Sequence, residues 1–310
     1  MADDSGYFDY FDETEKYFNS LPNTSFEPAK CFFCRNSQKS ETTKLFTRTS
    51  LVISKCRCGL VFNSYQPTDS ALEKFYTNSD AMSKWSEIKQ TKQEFERQSK
   101  KFSEALIYIF NRPKLVESLL DYGCGNGFLL SLIAASHPET ELTGIDLSQV
   151  ALDKITNPAI EKICGKDIPD KKFDVITCFG LLEHMKHPDH FLKAAREHLL
   201  PGGLVAACVP NVESEVVERL GAQAATFCPQ HLWYFSENTL ARLFTESGFK
   251  PAYLYSIEEE RVPIAKKISL LHPYNPAPEW CYAHNLFRPE FKNILKNMKG
   301  YKLVMIGKKT

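Results

Sequence analysis

The sequence predicts an α/β protein: a doubly wound, seven-stranded sheet that follows a small cysteine-bearing module and a helical connector. Three observations carry this. From Pro113 onward, apolar strand-like runs alternate with helical patterns. A glycine-rich turn, Gly123-Cys124-Gly125-Asn126-Gly127, joins the first of these strands to a helix. In front of them stand two cysteine pairs, Cys31/Cys34 and Cys56/Cys58, with residues 35–55 between.

The elements follow in order. Residues 1–30 are polar and weakly patterned and read as an arm. Residues 31–66 form the cysteine module, with strand-like pieces at 44–46 and 51–54. Residues 67–112 form the connector: Leu72, Phe75 and Tyr76, then Phe95, Phe102, Leu106 and Phe110, recur at helical intervals. A break falls at 77–80 and a stop near Pro113. The domain of 113–310 takes strands at 118–121, 141–146, 160–164, 173–178 and 204–209. Its helices fall at 127–136, 149–155, 188–200 and 237–247. Pro201-Gly202-Gly203 reads as a turn into the fifth strand. Strands at 250–257 and 301–308 complete seven, and the Pro- and aromatic-rich stretch of about 258–298 reads as an insertion.

Bulk properties narrow the function. The chain has 310 residues, 43% of them apolar, enough for a catalytic core and an accessory module. Thirty-eight basic and 38 acidic side chains cancel, which argues against a nucleic-acid partner. The lysines at 292, 296, 299, 302, 308 and 309 read as a solvated surface. Residues 1–15 are acidic and aromatic, unlike a signal peptide, and no apolar run approaches the ~18 residues of a membrane span. Ten cysteines in this length do not suggest a disulfide scaffold. The expectation is a cytoplasmic monomer or homodimer acting on a small molecule.

The local chemistry is sharper. The first strand ends in Asp121, directly before the glycine turn. The turn reads G-x-G-x-G, whereas pyrophosphate-binding turns read G-x-G-x-x-G. An acid beside it suits a cationic, amine-bearing ligand better than a phosphate. Asp146 ends the second strand, where a carboxylate can accept from two ribose hydroxyls. Asp167 follows the third strand, placed to accept from an adenine amino group. Leu147, Ile168 and Phe179 flank these acids at the strand ends that face the ligand crevice.

This ordered set resembles the class I S-adenosylmethionine (SAM) dependent methyltransferases, with their Rossmann-like seven-stranded sheet. The resemblance covers most of 113–310. It implies that SAM is held by Asp121, Gly123, Gly125, Asn126, Gly127, Asp146, Leu147, Asp167, Ile168 and Phe179.

The spacing of Cys31, Cys34, Cys56 and Cys58 suits a four-thiolate structural zinc site, although the second knuckle is shortened from C-x2-C to C-x-C. Together with Gly59-Leu60-Val61-Phe62 and Phe75-Tyr76, this module resembles the zinc-ribbon front end of bacterial methyltransferases in carbohydrate and natural-product pathways. Free reduced cysteines, or a ribbon that no longer holds metal, are the alternatives.

Two histidines fall on the acceptor side, His184 after the fourth strand and His231 after the fifth. The segment Gln230-His231-Leu232-Trp233-Tyr234-Phe235-Ser236 resembles one that contributes a catalytic histidine in zinc-domain deoxysugar methyltransferases. There a glutamate stands where this chain has Gln230. His231 is therefore the first candidate for acceptor-site base and His184 the second, with a purely structural histidine as the alternative. Ubiquinone-pathway O-methyltransferases carry Glu-x-x-Glu-His, a proposed cation site, where this chain has Gly180, Glu183 and His184. His187 and His190 straddle a helix-starting proline and read as a solvated loop. Phe75, Tyr76 and Trp85 read as core or as a lid. Trp280, Tyr282, His284 and Phe287 of the insertion are expected to shape the acceptor pocket. The leading expectation is methyl transfer to a sugar or nucleotide-linked sugar, and the runner-up is a phenol or quinol O-methyltransferase. Other classes are a nicotinamide-dependent oxidoreductase and a zinc-ribbon binding module with an inactive methyltransferase fold.

Overall fold

Tyr10, Thr14 and Phe18 stand four residues apart, the spacing that puts side chains on one stripe of a helix. In the computed structural model, which describes residues 5–35, 41–48, 50–257 and 298–310, they are the buried stripe of α1 (Ser5–Ser20). Over residues 5–20 the expected arm is therefore corrected to a packed helix. Phe18 meets Phe75 at 4.9 Å between ring centroids and Tyr10 meets Trp85 at 4.8 Å. Its apolar partners come from helices far along the chain, so its own polar composition hid the packing.

The module that follows contains β1 (Phe26–Pro28), β2 (Thr42–Arg48), β3 (Leu51–Cys56), β4 (Val61–Asn63) and β5 (Tyr65–Pro67). β1 pairs with β5, and β2, β3 and β4 run antiparallel in order. The connector is three helices: α2 (Asp69–Asn78), α3 (Asp80–Lys89) and α4 (Lys92–Phe110). The expected break is present, because the Ser79 hydroxyl caps α3 by accepting from the Met82 amide. A second, unexpected break follows at Thr91, which caps α4 through the Glu94 amide.

The larger half runs β6 (Ser118–Tyr122), α5 (Phe128–Ser136), β7 (Glu141–Asp146), α6 (Gln149–Leu152), β8 (Ile160–Cys164) and β9 (Phe173–Phe179). It continues with α7 (Pro188–Glu197), β10 (Leu199–Pro210), α8 (Glu215–Leu220), β11 (Trp233–Tyr234), α9 (Glu237–Glu246), β12 (Phe249–Ile257) and β13 (Lys302–Lys309). The seven-stranded sheet has the order β12-β13-β10-β9-β6-β7-β8. β13 is antiparallel to both neighbours and the remaining pairs are parallel.

Both faces of the sheet are covered, as parallel strands require. Along β10, Val205, Ala207 and Val209 enter one core while Leu204, Ala206 and Cys208 enter the other. The turn expected at Pro201-Gly202-Gly203 is an irregularity inside β10, where its register against β9 shifts between Leu199 and Leu204. α6 stops at Leu152 instead of 155, and α8 and β11 were not expected. The insertion, with Trp280, Tyr282, His284 and Phe287, lies outside the described residues apart from Met298.

Two features position the site. Chain order reverses between β6 and β9, so a crevice opens at their C-terminal ends. The cysteine module also reaches into the larger half, because β11 pairs with β4, Trp233 opposite Phe62 and Tyr234 opposite Val61. Phe32, between Cys31 and Cys34, meets Trp233 edge-on at 4.8 Å. Among the described residues, no helix is long and apolar enough to cross a membrane.

Candidate active site

The glycine turn is held in a shape only glycine takes easily. Gly127 caps α5 in the left-handed region at φ 69°, and a Cβ there would come within 2.6 Å of Ile155. Gly127 is not among the residues lining the cavity, so its part is conformational. Gly125, at φ 52°, donates its amide to Asp146 Oδ2 at 2.8 Å, and the Ser148 amide donates to Oδ1 at 2.9 Å. Asp146 thus fixes the turn while its remaining lone pairs stay available to two hydroxyls. Burial raises its pKa, opposed by these amides.

Asp121 ends β6 beside Thr177 of β9, its register partner across the switch point. The Thr177 hydroxyl donates to Asp121 Oδ1 at 2.6 Å. Only 5% of Asp121 is exposed, and burial pushes its pKa up to about 7, with Asp146 adding to the rise. A buried carboxylate so placed favours a cation as its ligand.

The cavity of ≈ 1060 Å³ runs from this turn to His184 and His231. Gly123, Asn126, Leu147, Asp167, Ile168 and Phe179 all line it. α3 is tied to the turn, since Asn126 Nδ2 donates to the Ser86 carbonyl at 3.0 Å and the Ser86 hydroxyl returns a bond to Asn126 at 3.1 Å. Trp85 and Tyr76 line the cavity as well, whereas Phe75 is wholly buried in the core.

His184 and His231 meet on the cavity wall with ring centroids 4.7 Å apart. His184 Nδ1 lies 3.0 Å from the Gln230 carbonyl and 2.8 Å from the Tyr76 hydroxyl. His231 Nδ1 lies 2.7 Å from the Thr226 carbonyl. The Thr226 carbonyl only accepts, so His231 Nδ1 donates to it and the His231 lone pair lies on Nε2, whereas His184 Nδ1 either donates to the Gln230 carbonyl or accepts from the Tyr76 hydroxyl. Burial lowers the pKa of His184 to about 4. Burial, then the neighbouring His184, lowers that of His231. Both imidazoles are neutral near pH 7. Glu183 adjoins them, 1% exposed, and burial raises its pKa to about 7.

Two contributors escaped the sequence. Gln230 donates through Nε2 to the Tyr10 hydroxyl at 3.0 Å, which links the histidine loop to α1. Tyr10 and Phe11 line the cavity from that helix. The four-residue spacing of Tyr10, Thr14 and Phe18 was the available signal. His187 and His190 stack at 5.0 Å, and among the described residues they belong to no group with metal-ligand geometry.

The four module cysteines converge as the spacing suggested. Cys31 Sγ lies 3.5 Å from Cys58 Sγ, and Cys34 Sγ 3.7 Å from Cys56 Sγ. Thiolates around a tetrahedral zinc at 2.3 Å stand about 3.8 Å apart, so the donor set fits that ion. The short C-x-C knuckle brings both its thiols into this set because Gly59, at φ 97°, lets the chain double back and donate its amide to the Cys56 carbonyl at 2.8 Å.

A family model described as a methyltransferase domain matches residues 93–254. A ubiquinone biosynthesis O-methyltransferase of Coxiella burnetii is 36% identical over 97 residues, covering 27% of this chain and 40% of that protein. An uncharacterized protein of a Synechococcus species is 32% identical over 107 residues, covering 30% of this chain and 24% of that protein. The chain thus matches less than half the length of these curated relatives. The plantazolicin methyltransferase BpumL, solved with a pentazolic desmethylPZN analog and S-adenosylhomocysteine (SAH), superposes with a TM-score of 0.52 at 16% identity. That match covers 77% of this chain and 94% of the other, and it shows a shared fold.

Proposed function

This chain belongs to the methyltransferase-domain family, and on that premise we propose that it is an active SAM-dependent methyltransferase of a small-molecule acceptor. The carrying observation is the single cavity that joins the acid-flanked glycine turn to the paired histidines. SAM supplies a methyl group on a sulfonium, transferred by in-line displacement. Asp121 takes the ligand's ammonium, Asp146 the ribose and Asp167 the adenine, with Leu147, Ile168 and Phe179 as apolar walls. Tyr76, Trp85 and Phe102 bound the acceptor space and exclude water, and positioning in that dry site supplies much of the acceleration. His231 takes the acceptor proton on Nε2, and His184 is the second candidate, since both stay neutral near pH 7.

For the acceptor we favour a phenol or quinol over the sugar expected from the ribbon. The walls given by Tyr10, Phe11, Tyr76, Met82, Trp85 and Phe102 suit a flat apolar ring. The Coxiella relative is named for ubiquinone biosynthesis, and no relative described above is named for a sugar. Four thiolates holding one structural zinc belong to the same proposal. So do the division at 31–66, 67–112 and 113–310, and a cytoplasmic monomer or homodimer without nucleic-acid or membrane partners.

The test is transfer of isotope-labelled methyl from SAM to catechols and quinols, run beside nucleotide-linked sugars. Labelling of the ring acceptors is expected. Labelling of the sugars alone overturns the acceptor class, and absence of SAM binding overturns the activity.

A further inference from the structure

Lys302 is one of the basic residues near the end of the chain that the sequence presents as a solvated surface. The fold puts it elsewhere. β13 runs antiparallel to β10, so its first residue, Lys302, stands opposite Pro210, the last residue of β10. That is the edge of the sheet where the parallel strands end and the crevice opens. Lys302 is half-buried there and lines the cavity beside Tyr301.

A second lysine meets the same space from the connector. Lys101 of α4 lines the cavity, also half-buried, with its ammonium 5.0 Å from the ring centre of Phe102. Phe102 stacks on Phe179 at the end of β9, with 4.4 Å between ring centroids. Burial is the largest influence on the titration of Tyr10, Glu183, His184 and His231, and the charge of Lys302 also acts on all four. Lys101 acts on Glu183 as well.

The charges at this end of the cavity do not cancel. Both histidines are neutral near pH 7, and burial keeps the hydroxyls of Tyr10 and Tyr76 protonated. Glu183 supplies at most one negative charge against two ammoniums. Asp69, Glu73 and Lys166 also line the cavity but are exposed to solvent, which screens them. Lys89 and Lys186 are paired with Glu94 and Glu27. A partly buried positive surplus beside the rings of Tyr76, Trp85 and Phe102 favours a ring ligand with an anionic group.

We propose that the acceptor carries one carboxylate, and that Lys302 and Lys101 receive it while the acceptor hydroxyl meets His231. The two lysines come from the start of β13 and from α4, so they grip the substrate by its charged end from two sides. Two ammoniums facing one glutamate match a single carboxylate better than the doubly charged diphosphate of a nucleotide-linked sugar. This deepens the proposed function, on which it rests for the place of the acceptor.

The probes are para-hydroxybenzoate and para-hydroxyphenylacetate, each beside its neutral amide, titrated by calorimetry into the full chain with SAH present. At least one acid is expected to bind about tenfold or more tighter than its amide, the range of a hydrogen bond to a charged group. Lys302→Gln and Lys101→Gln should each erase most of that ratio, with unchanged SAH affinity showing that the fold survives. Equal affinity of acid and amide, binding of neither, or an undiminished ratio in either variant overturns the proposal. Methyl transfer to neutral phenols as readily as to their acid counterparts refutes the carboxylate site and leaves the proposed function standing. A carboxylate held as described, with no transfer to any acceptor, does the reverse.

Discussion

SAH carries an ammonium group, and in the proposed site the buried carboxylate of Asp121 at the glycine turn receives it. Asp121 is raised to about 7 by burial, so without ligand it is part-protonated at neutral pH. The sign is fixed by linkage. A carboxyl raised above its unfolded value contributes stability that is complete below about pH 4 and lost as pH rises through 7. The rise from 3.8 to about 7 corresponds to roughly 4 kcal/mol at the alkaline end. An ammonium beside the carboxylate favours the ionised form, so binding near pH 6 should release close to one proton. SAH affinity should then fall about 10- to 30-fold between pH 8 and pH 5.5, approaching tenfold per unit at the acid end. Calorimetry in buffers of different ionisation enthalpy reads both the affinity and the proton count. Asp121→Asn keeps an oxygen for Thr177, and it should bind weakly with no pH dependence across this range. Flat affinity with no proton release in the unmodified protein would refute the placement of the ammonium at Asp121.

Three further outcomes are expected. Asp146→Ala removes the acceptor for the Gly125 and Ser148 amides as well as for the ribose, so SAH affinity should drop by about 2–5 kcal/mol, read by calorimetry. Unchanged affinity would place the ribose elsewhere. Protein purified without chelator should hold one zinc by elemental analysis, and Cys34→Ser should lower its Tm. Absence of zinc would make the cysteine cluster a set of packed thiols. His231→Ala should cut turnover by roughly 10²–10⁴-fold with near-normal SAH affinity, whereas near-normal turnover would leave catalysis to positioning alone.

The half of the site proposed for SAM could be drawn from the sequence because its signals are local. Asp121, Asp146 and Asp167 each follow an apolar run, and the glycines mark the one turn that needs positive φ. The ordered acids therefore marked the strand ends, and β6 to β10 formed where the alternation placed them. What stayed hidden depends on pairing across the chain. Nothing near Asp121 shows that Thr177 faces it, because that follows from strand order. β11 has two residues and exists only because β4 offers it an edge. The polar sequence of α1 hid a stripe whose partners, Phe75 and Trp85, lie in helices of the connector. His184 ranked behind His231 in sequence, but their contact at 4.7 Å makes them one unit.

That unit is joined to the cysteine module around Leu232, beside the pairing of β11 with β4. The Leu232 carbonyl accepts from the Asn63 amide at 3.0 Å and from Gln66 Nε2 at 3.1 Å, both donors belonging to the module. The Leu232 amide donates at 2.7 Å to the carbonyl of Glu183, next to His184. His231 precedes this peptide, and Trp233 follows it, held between Phe32 and Phe62 of the module and bonded through Nε1 to the Met185 carbonyl. Phe32 in turn sits inside the knuckle that Cys31 and Cys34 close. The glycine turn has no such tie, since its bonds run to β7 and α3. The sheet and its turn thus account for the half proposed for SAM, while the half proposed for the acceptor is braced from outside the sheet. An added module of this kind changes the shape of the acceptor wall without disturbing the half that every member of the fold shares.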